Sequence, residues 1–370
     1  MPSAPPEAAA RSWRTNALLF VATIASIYVT WLFDMSKMRF DFSRVGEASL
    51  FAATLLAILV AHESGHYVAA RIHKVDASLP YFLPMPILSP FGTMGAVIRM
   101  RGTIPTRRAL LDIGASGPLA GLVLAIPLYA WGCAHSKMAP LGVEGGELGE
   151  SLLLRVIERF AGPVAPAGME LSLSPVAYAA WAGMFVTMIN LLPAGQLDAG
   201  HVAFSLFGPR QNTIAQWVHR SMLVFFFVSL ASFVARDVRG GFGLHHLGRH
   251  ISNSQFWLLW FEVLAIIGTV SSREGQDRIG IRPRVVATLG LALLAGIFHD
   301  RTTPLLWVAW FAGLGVLLAM EVRWGALRMA STLLDHPPTG AQPLTVGRMV
   351  IAVITLVFFL LLFMPTPFSI

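Results

Sequence analysis

The sequence predicts an all-α polytopic membrane protein with about 8–9 transmembrane helices and a small membrane-associated β hairpin near residues 80–104. Three observations predict it. The chain is 55% hydrophobic and only 13% charged, where soluble globular domains are about a quarter charged, so lipid must be the solvent for most of it. Its apolar residues gather into runs of roughly 17–25, the length that crosses a ~30 Å hydrocarbon core as a helix. One connecting segment is apolar yet broken by prolines and glycines, which a helix does not tolerate.

The first 13 residues (MPSAPPEAAARSW) form a polar, Pro/Ala-rich lead. The run at 14–33 is too long for a signal-peptide core and no small-residue cleavage site follows it, so it reads as a retained first helix. Further apolar runs lie at 48–72, 109–133, 175–192, 213–235, 254–270, 285–299, 303–320 and 346–364. Between the second and third runs, Pro80, Pro84, Pro86 and Pro90 forbid a helix. The stretch from Thr93 to Gly102 mixes glycine with β-branched residues and suits a strand or hairpin. The 73–108 loop is too apolar for free solvation. It is expected to lie against the membrane, where a short sheet or an added substrate strand satisfies its backbone. The 135–174 segment is Gly- and Glu-rich, with one amphipathic stretch from Ser151 to Phe160. Beyond residue 250 the sequence shows apolar helices, short Arg-containing loops and no catalytic motif.

Charge sets orientation. The 73–108 loop carries Lys74, Arg99, Arg101, Arg107 and Arg108 against Asp76, whereas the 135–174 loop carries Glu144, Glu147, Glu150, Glu158 and Glu170 against Lys137, Arg155 and Arg159. The positive-inside tendency puts the first loop in the cytoplasm and the second outside. The net charge of +7 is scattered through the loops and forms no patch, which excludes a nucleic-acid partner. The single cysteine, Cys133, excludes an internal disulfide and a cysteine-based zinc cage.

The chemistry lies in His62-Glu63-Ser64-Gly65-His66, inside the apolar run 48–72. On a helix, His62 and His66 project from one face and can grip one metal ion, while Glu63 reaches a water on that ion. Ionisable groups at bilayer depth are costly, so their default reading is functional. They lie about seven residues, roughly 10 Å, from the cytoplasmic end of their helix. A zinc hydrolase needs three protein ligands and an open fourth position. The candidate third ligand is Asp198, in Asn190-Leu-Leu-Pro193-Ala-Gly195-Gln-Leu-Asp198-Ala-Gly200-His201, where Pro193 and Gly195 break the preceding helix. Helix capping by Asp198 and ligation by His201 are the competing readings. Asn190 is either a buried amide bonding across helices or a donor to the scissile carbonyl. His245, His246 and His250 resemble a second metal site only superficially.

HESGH, then GTMGAVIRM, then ASGPLAG at 115–121, then NLLPAGQLDAGH together resemble the site-2 protease family of intramembrane zinc metalloproteases. The resemblance runs from about residue 50 to 210 and divides the chain. Residues 1–47 are the lead and first helix, 48–210 the catalytic core, and 211–370 additional helices of unreadable role. It implies one Zn2+ per chain on His62, His66 and Asp198, with Glu63 as the catalytic glutamate and Asn190 near the scissile bond. It also implies that the strand region, with Gly92, Gly95 and Val97, lines the substrate path. The family's aspartate is usually followed by two glycines, and here Ala199 replaces the first, so that turn must suit an L-residue.

The expected function is therefore hydrolysis of peptide bonds in or near transmembrane segments of substrate proteins, by a multi-pass protein of a prokaryotic cell membrane whose site opens to the cytoplasm. Its expected partners are transmembrane substrates and membrane lipid. The alternatives are a membrane transporter or receptor that binds metal without hydrolysis, and a metallohydrolase acting on a lipid or small amide.

Overall fold

The computed structural model describes residues 7–34, 37–87, 89–100, 104–140, 147–163, 166–271 and 343–369, with scattered residues between 289 and 319. The apolar runs read at 285–299 and 303–320 lie largely outside the described residues, as do Arg101 and Glu144. The chain divides into two compact units, one made of 1–141, 153–190 and 339–355, the other of 142–152, 191–338 and 356–370.

The first unit opens with α1 (Glu7–Leu32), then a two-residue hairpin, β1 (Phe33–Asp34) with β2 (Arg39–Phe40). Asp41 caps a 3-10 turn by accepting from the Ser43 amide, and α2 (Val45–Ile72) follows. Lys74, with φ of 57°, turns the chain out of α2 in the left-handed conformation that commonly ends helices. The expected hairpin is present: β3 (Tyr81–Pro84) pairs antiparallel with β4 (Thr93–Val97), Tyr81 opposite Val97 and Pro84 opposite Thr93. Thr106 then accepts from the Ala109 amide and starts α3 (Arg107–Ala134), which contains Pro118 and Pro127. β5 (Lys137–Pro140) pairs with β7 (Met169–Ser172) on either side of α4 (Leu152–Ala161). The amphipathic stretch is thus a helix, and Tyr129 of α3 donates its hydroxyl to Glu158 in it.

α5 (Pro175–Asn190) completes this unit's core. α2, α3 and α5 pack side by side, with Phe51, Tyr178, Trp181, Phe185 and Phe91 in an aromatic cluster. Small residues permit the closeness: a side chain on Gly132 would meet the Ala177 backbone at 2.5 Å.

The second unit holds α6 (Asp198–Phe207), α7 (Arg210–Arg239) and α8 (Leu247–Ser271). Here β6 (Glu147–Leu148) pairs with β8 (Phe368–Ser369), beyond the last helix, α9 (Val346–Leu362). His219 of α7 stacks on Phe261 of α8 and bonds its carbonyl at 2.8 Å, which locks these two helices together.

Among the described residues, four helices have the length and composition to cross a membrane: Trp13–Leu32, Phe42–Ile72, Arg107–Ala134 and Arg210–Arg239. That is fewer than the sequence-based 8–9. α5 shows one reason. It has 16 residues, about 24 Å at 1.5 Å each, and twelve of them are buried. An Ala/Gly-rich helix enclosed by protein and one facing lipid look alike in composition. α9, at 17 residues, is likewise a shorter apolar helix.

Candidate metal centre

His62, Glu63 and His66 are all buried on α2, with 3%, 5% and 7% of their surfaces exposed. Nε2 of His62 and Nε2 of His66 face each other at 3.2 Å. Two nitrogens, each about 2.0–2.1 Å from one tetrahedral zinc ion, stand about 3.3 Å apart, so this pair fits a single ion almost without adjustment. The other ring nitrogen of His66, Nδ1, donates to the Ile113 carbonyl of α3 at 2.7 Å. That bond holds the proton on Nδ1 and leaves Nε2 a lone pair for a metal. Ser116 Oγ donates to the same carbonyl at 3.0 Å.

Glycines make room for the two rings. A methyl on Gly117 would overlap the His66 ring, and one on Gly121 would stand 3.3 Å from Nδ1 of His62. From α2, a side chain on Gly65 would overlap the Ser116 carbonyl. These glycines explain the ASGPLAG run physically. Sequence reasoning saw it only as a signature, although two glycines four apart on one helix face were a legible sign of close packing.

Asn190 ends α5 with its Nδ2 3.5 Å from Nε2 of His62. Asp198 opens α6. The cap is Leu197, which makes no side-chain capping bond, so Asp198 is the first helical residue. The turn before it uses Gly195 at φ 55°, and a methyl on Gly200 would overlap the Gly195 carbonyl. Ala199 is helical and fully buried, so the departure from two glycines falls where a side chain fits. His62 and His66 belong to the first unit, and Asp198 and His201 to the second.

In the hairpin, Gly92 and Gly95 adopt φ of 73° and 94°, conformations that strain any L-residue. Gly92 is held: its carbonyl accepts from Ser26 Oγ and the Met85 amide, its amide donates to the Ser89 carbonyl, and a side chain on it would run into the α1 backbone at Ile27. Gly95 has ordinary space around it, and Val97 and Met94 are about half exposed.

The loop histidines form a different arrangement. His246 Nδ1 and His250 Nε2 both bond Oδ2 of Asp237, each at 2.8 Å. Asp237 was not apparent from the sequence. His245 is exposed and outside this cluster.

With this geometry in place, comparisons with known proteins are informative. Residues 50–230 match the family model described as Peptidase family M50. The chain is 31% identical over 211 residues to a "Probable zinc metalloprotease EGY2, chloroplastic" of Oryza sativa subsp. indica, covering 55% of this chain and 38% of that protein. It is 34% identical over 170 residues to a "Probable zinc metalloprotease EGY1, chloroplastic" of Arabidopsis thaliana, covering 44% and 30%. The chain thus spans well under half the length of the curated relatives it matches. No solved structure matches it.

Proposed function

We propose that this chain, whose residues 50–230 match the model of peptidase family M50, is a member of that family, the site-2 protease family, and a zinc endopeptidase cleaving peptide bonds in or near transmembrane segments of other proteins. The observation that carries this is the facing Nε2 pair of His62 and His66 at 3.2 Å, with Glu63 buried beside it. Asp198 is the proposed third ligand, and the donor set of two imidazoles and one carboxylate suits zinc. Bound there, zinc supplies a Lewis acid for the scissile carbonyl and acidifies a water. Glu63 takes the proton of the attacking water and delivers it to the departing amine. Asn190 donates to the carbonyl oxygen as negative charge grows on it.

A helical substrate hides its peptide bonds, so it must unwind locally. β4 offers a strand against which the extended segment pairs, with Gly95 and Val97 along its bed. Gly92, its polar groups engaged, holds the hairpin to α1. The proposed membrane is that of a prokaryotic cell, and the charge difference between the 73–108 and 135–174 loops supports a site near its cytoplasmic face. About 8–9 spans follow if the apolar runs outside the four long helices also cross.

The test is Glu63→Gln in reconstituted full-length protein. Zinc content stays at one per chain while cleavage of a transmembrane substrate disappears. Cleavage at the wild-type rate removes Glu63 from the mechanism. A transporter or receptor needs the ligands but not the buried Glu63, which is the reason this reading comes second.

A further inference from the structure

We propose that Arg348, at the start of α9, is a positioning residue for the metal centre, acting through Asp112 on the carbonyl that orients His66. Arg348 is the one charged residue in α9 (VGRMVIAVITLVFFLLL). Its Nε lies 2.9 and 3.0 Å from the two carboxylate oxygens of Asp112, and its Nη2 lies 2.7 Å from Oδ2. The same Oδ2 accepts from Nε2 of His73 at 2.8 Å.

The placement of these three residues gives the clamp its meaning. His73 is the C-terminal cap of α2, the helix carrying His62, Glu63 and His66. Asp112 immediately precedes Ile113, whose carbonyl receives the His66 Nδ1 proton at 2.7 Å. One carboxylate therefore ties the end of α2 to the first turns of α3 and fixes both to α9. A guanidinium fork on a carboxylate restricts rotation as well as distance. Rotation of α3 about its axis is the motion that would swing the Ile113 carbonyl away from His66. Gly65 and Gly117 leave no slack in which such a rotation could be absorbed by side chains.

The pair is too exposed to matter much as a plain ion pair, with 29% and 23% of the two side chains open. Its geometry matters instead. A charged residue in an apolar helix is retained when it has a partner and a task. The clamp also gives α9, which lies outside the family-matched residues 50–230, a connection to the site more than two hundred positions earlier in the chain.

The inference rests on the zinc reading above, and the test separates the two. Full-length protein in detergent is loaded with zinc, its dissociation constant is measured by chelator competition, and the Co2+-substituted form is followed by its visible spectrum. Partners behind a metal-bound histidine typically change metal affinity by about 10–100-fold. Arg348→Ala, one layer further out, is expected to weaken zinc about tenfold and shift the cobalt bands. Arg348→Lys, which keeps charge but cannot fork, recovers part of both. Asp112→Asn matches Arg348→Ala, and the double variant is no worse than either single one. If Arg348→Ala does not fold, Arg348→Lys carries the test, and wild-type affinity with an unchanged cobalt spectrum overturns the clamp. Wild-type affinity in Arg348→Ala overturns it too, while zinc binding that depends on His62 and His66 leaves the functional reading standing. A wild-type protein that binds no zinc overturns both.

Discussion

Two pairs of histidines in this molecule share one spacing and differ in everything built around it. His62 and His66, like His246 and His250, are four residues apart. In the first pair both Nε2 atoms turn toward each other at 3.2 Å, the ring centres lie 5.0 Å apart, and the spare nitrogen of His66 is bonded to a backbone carbonyl. In the second the ring centres are 6.4 Å apart at 83°, and one ring uses Nδ1 and the other Nε2 to reach a single oxygen of Asp237. The first pair presents two lone pairs to one point; the second points two donors at one acceptor. Spacing brings imidazoles to a helix face. The group behind each ring decides whether they hold a cation or a carboxylate.

Breaking the first pair's chemistry has the largest expected effect. Glu63→Gln should lower the cleavage rate by about 10²–10⁴, the usual contribution of general acid–base catalysis, with zinc content by metal analysis unchanged. Asp198→Ala comes next and should lower zinc occupancy and cleavage together, since two histidines alone make a weak site. If His201→Ala empties the site and Asp198→Ala does not, the third ligand has been misassigned.

Smaller changes sharpen the contrast. Gly117→Ala forces a methyl into the His66 ring, and overpacking of this kind costs about 1–3 kcal/mol. Zinc should bind measurably more weakly in chelator competition, whereas a methyl at Gly347, where nothing crowds it, should leave affinity unaltered. Val97→Pro should slow cleavage of a helical substrate several-fold by removing one amide, a loss of about one net hydrogen bond plus strain. A short extended peptide should be cleaved at nearly the wild-type rate, and equal losses on both substrates would dispose of strand addition. The smallest effect belongs to the second pair. His250→Ala should lower the unfolding midpoint slightly, by the loss of about 1 kcal/mol of hydrogen bonding, with zinc stoichiometry untouched. A drop of one zinc per chain would make the two pairs alike after all.

What was legible in the sequence follows from range. His62, Glu63 and His66 could be read because a helix fixes their relation within five residues, and the 80–104 hairpin because prolines and glycines exclude other structures. Asn190 could be named, but its approach to His62 depends on how α5 packs against α2. The exclusion zones at Gly117 and Gly121 exist only once α3 lies against α2. Arg348 was unreadable, since nothing near it in sequence announces a carboxylate on α3. The count of spans could not be read from composition alone, because apolar composition reports a preference for leaving water and is silent on whether lipid or protein receives a helix such as α5.

The contact of Gly65 with the Ser116 carbonyl, continued by Gly117 against His66, also limits how this protein can vary. Every possible substitution at a glycine adds a side chain, so none of these positions has a smaller residue to retreat to. A variant tolerated at one of them must first part α2 from α3, which draws His66 away from the Ile113 carbonyl that orients it. Drift along this seam is therefore one-directional, and the two helices can change only together.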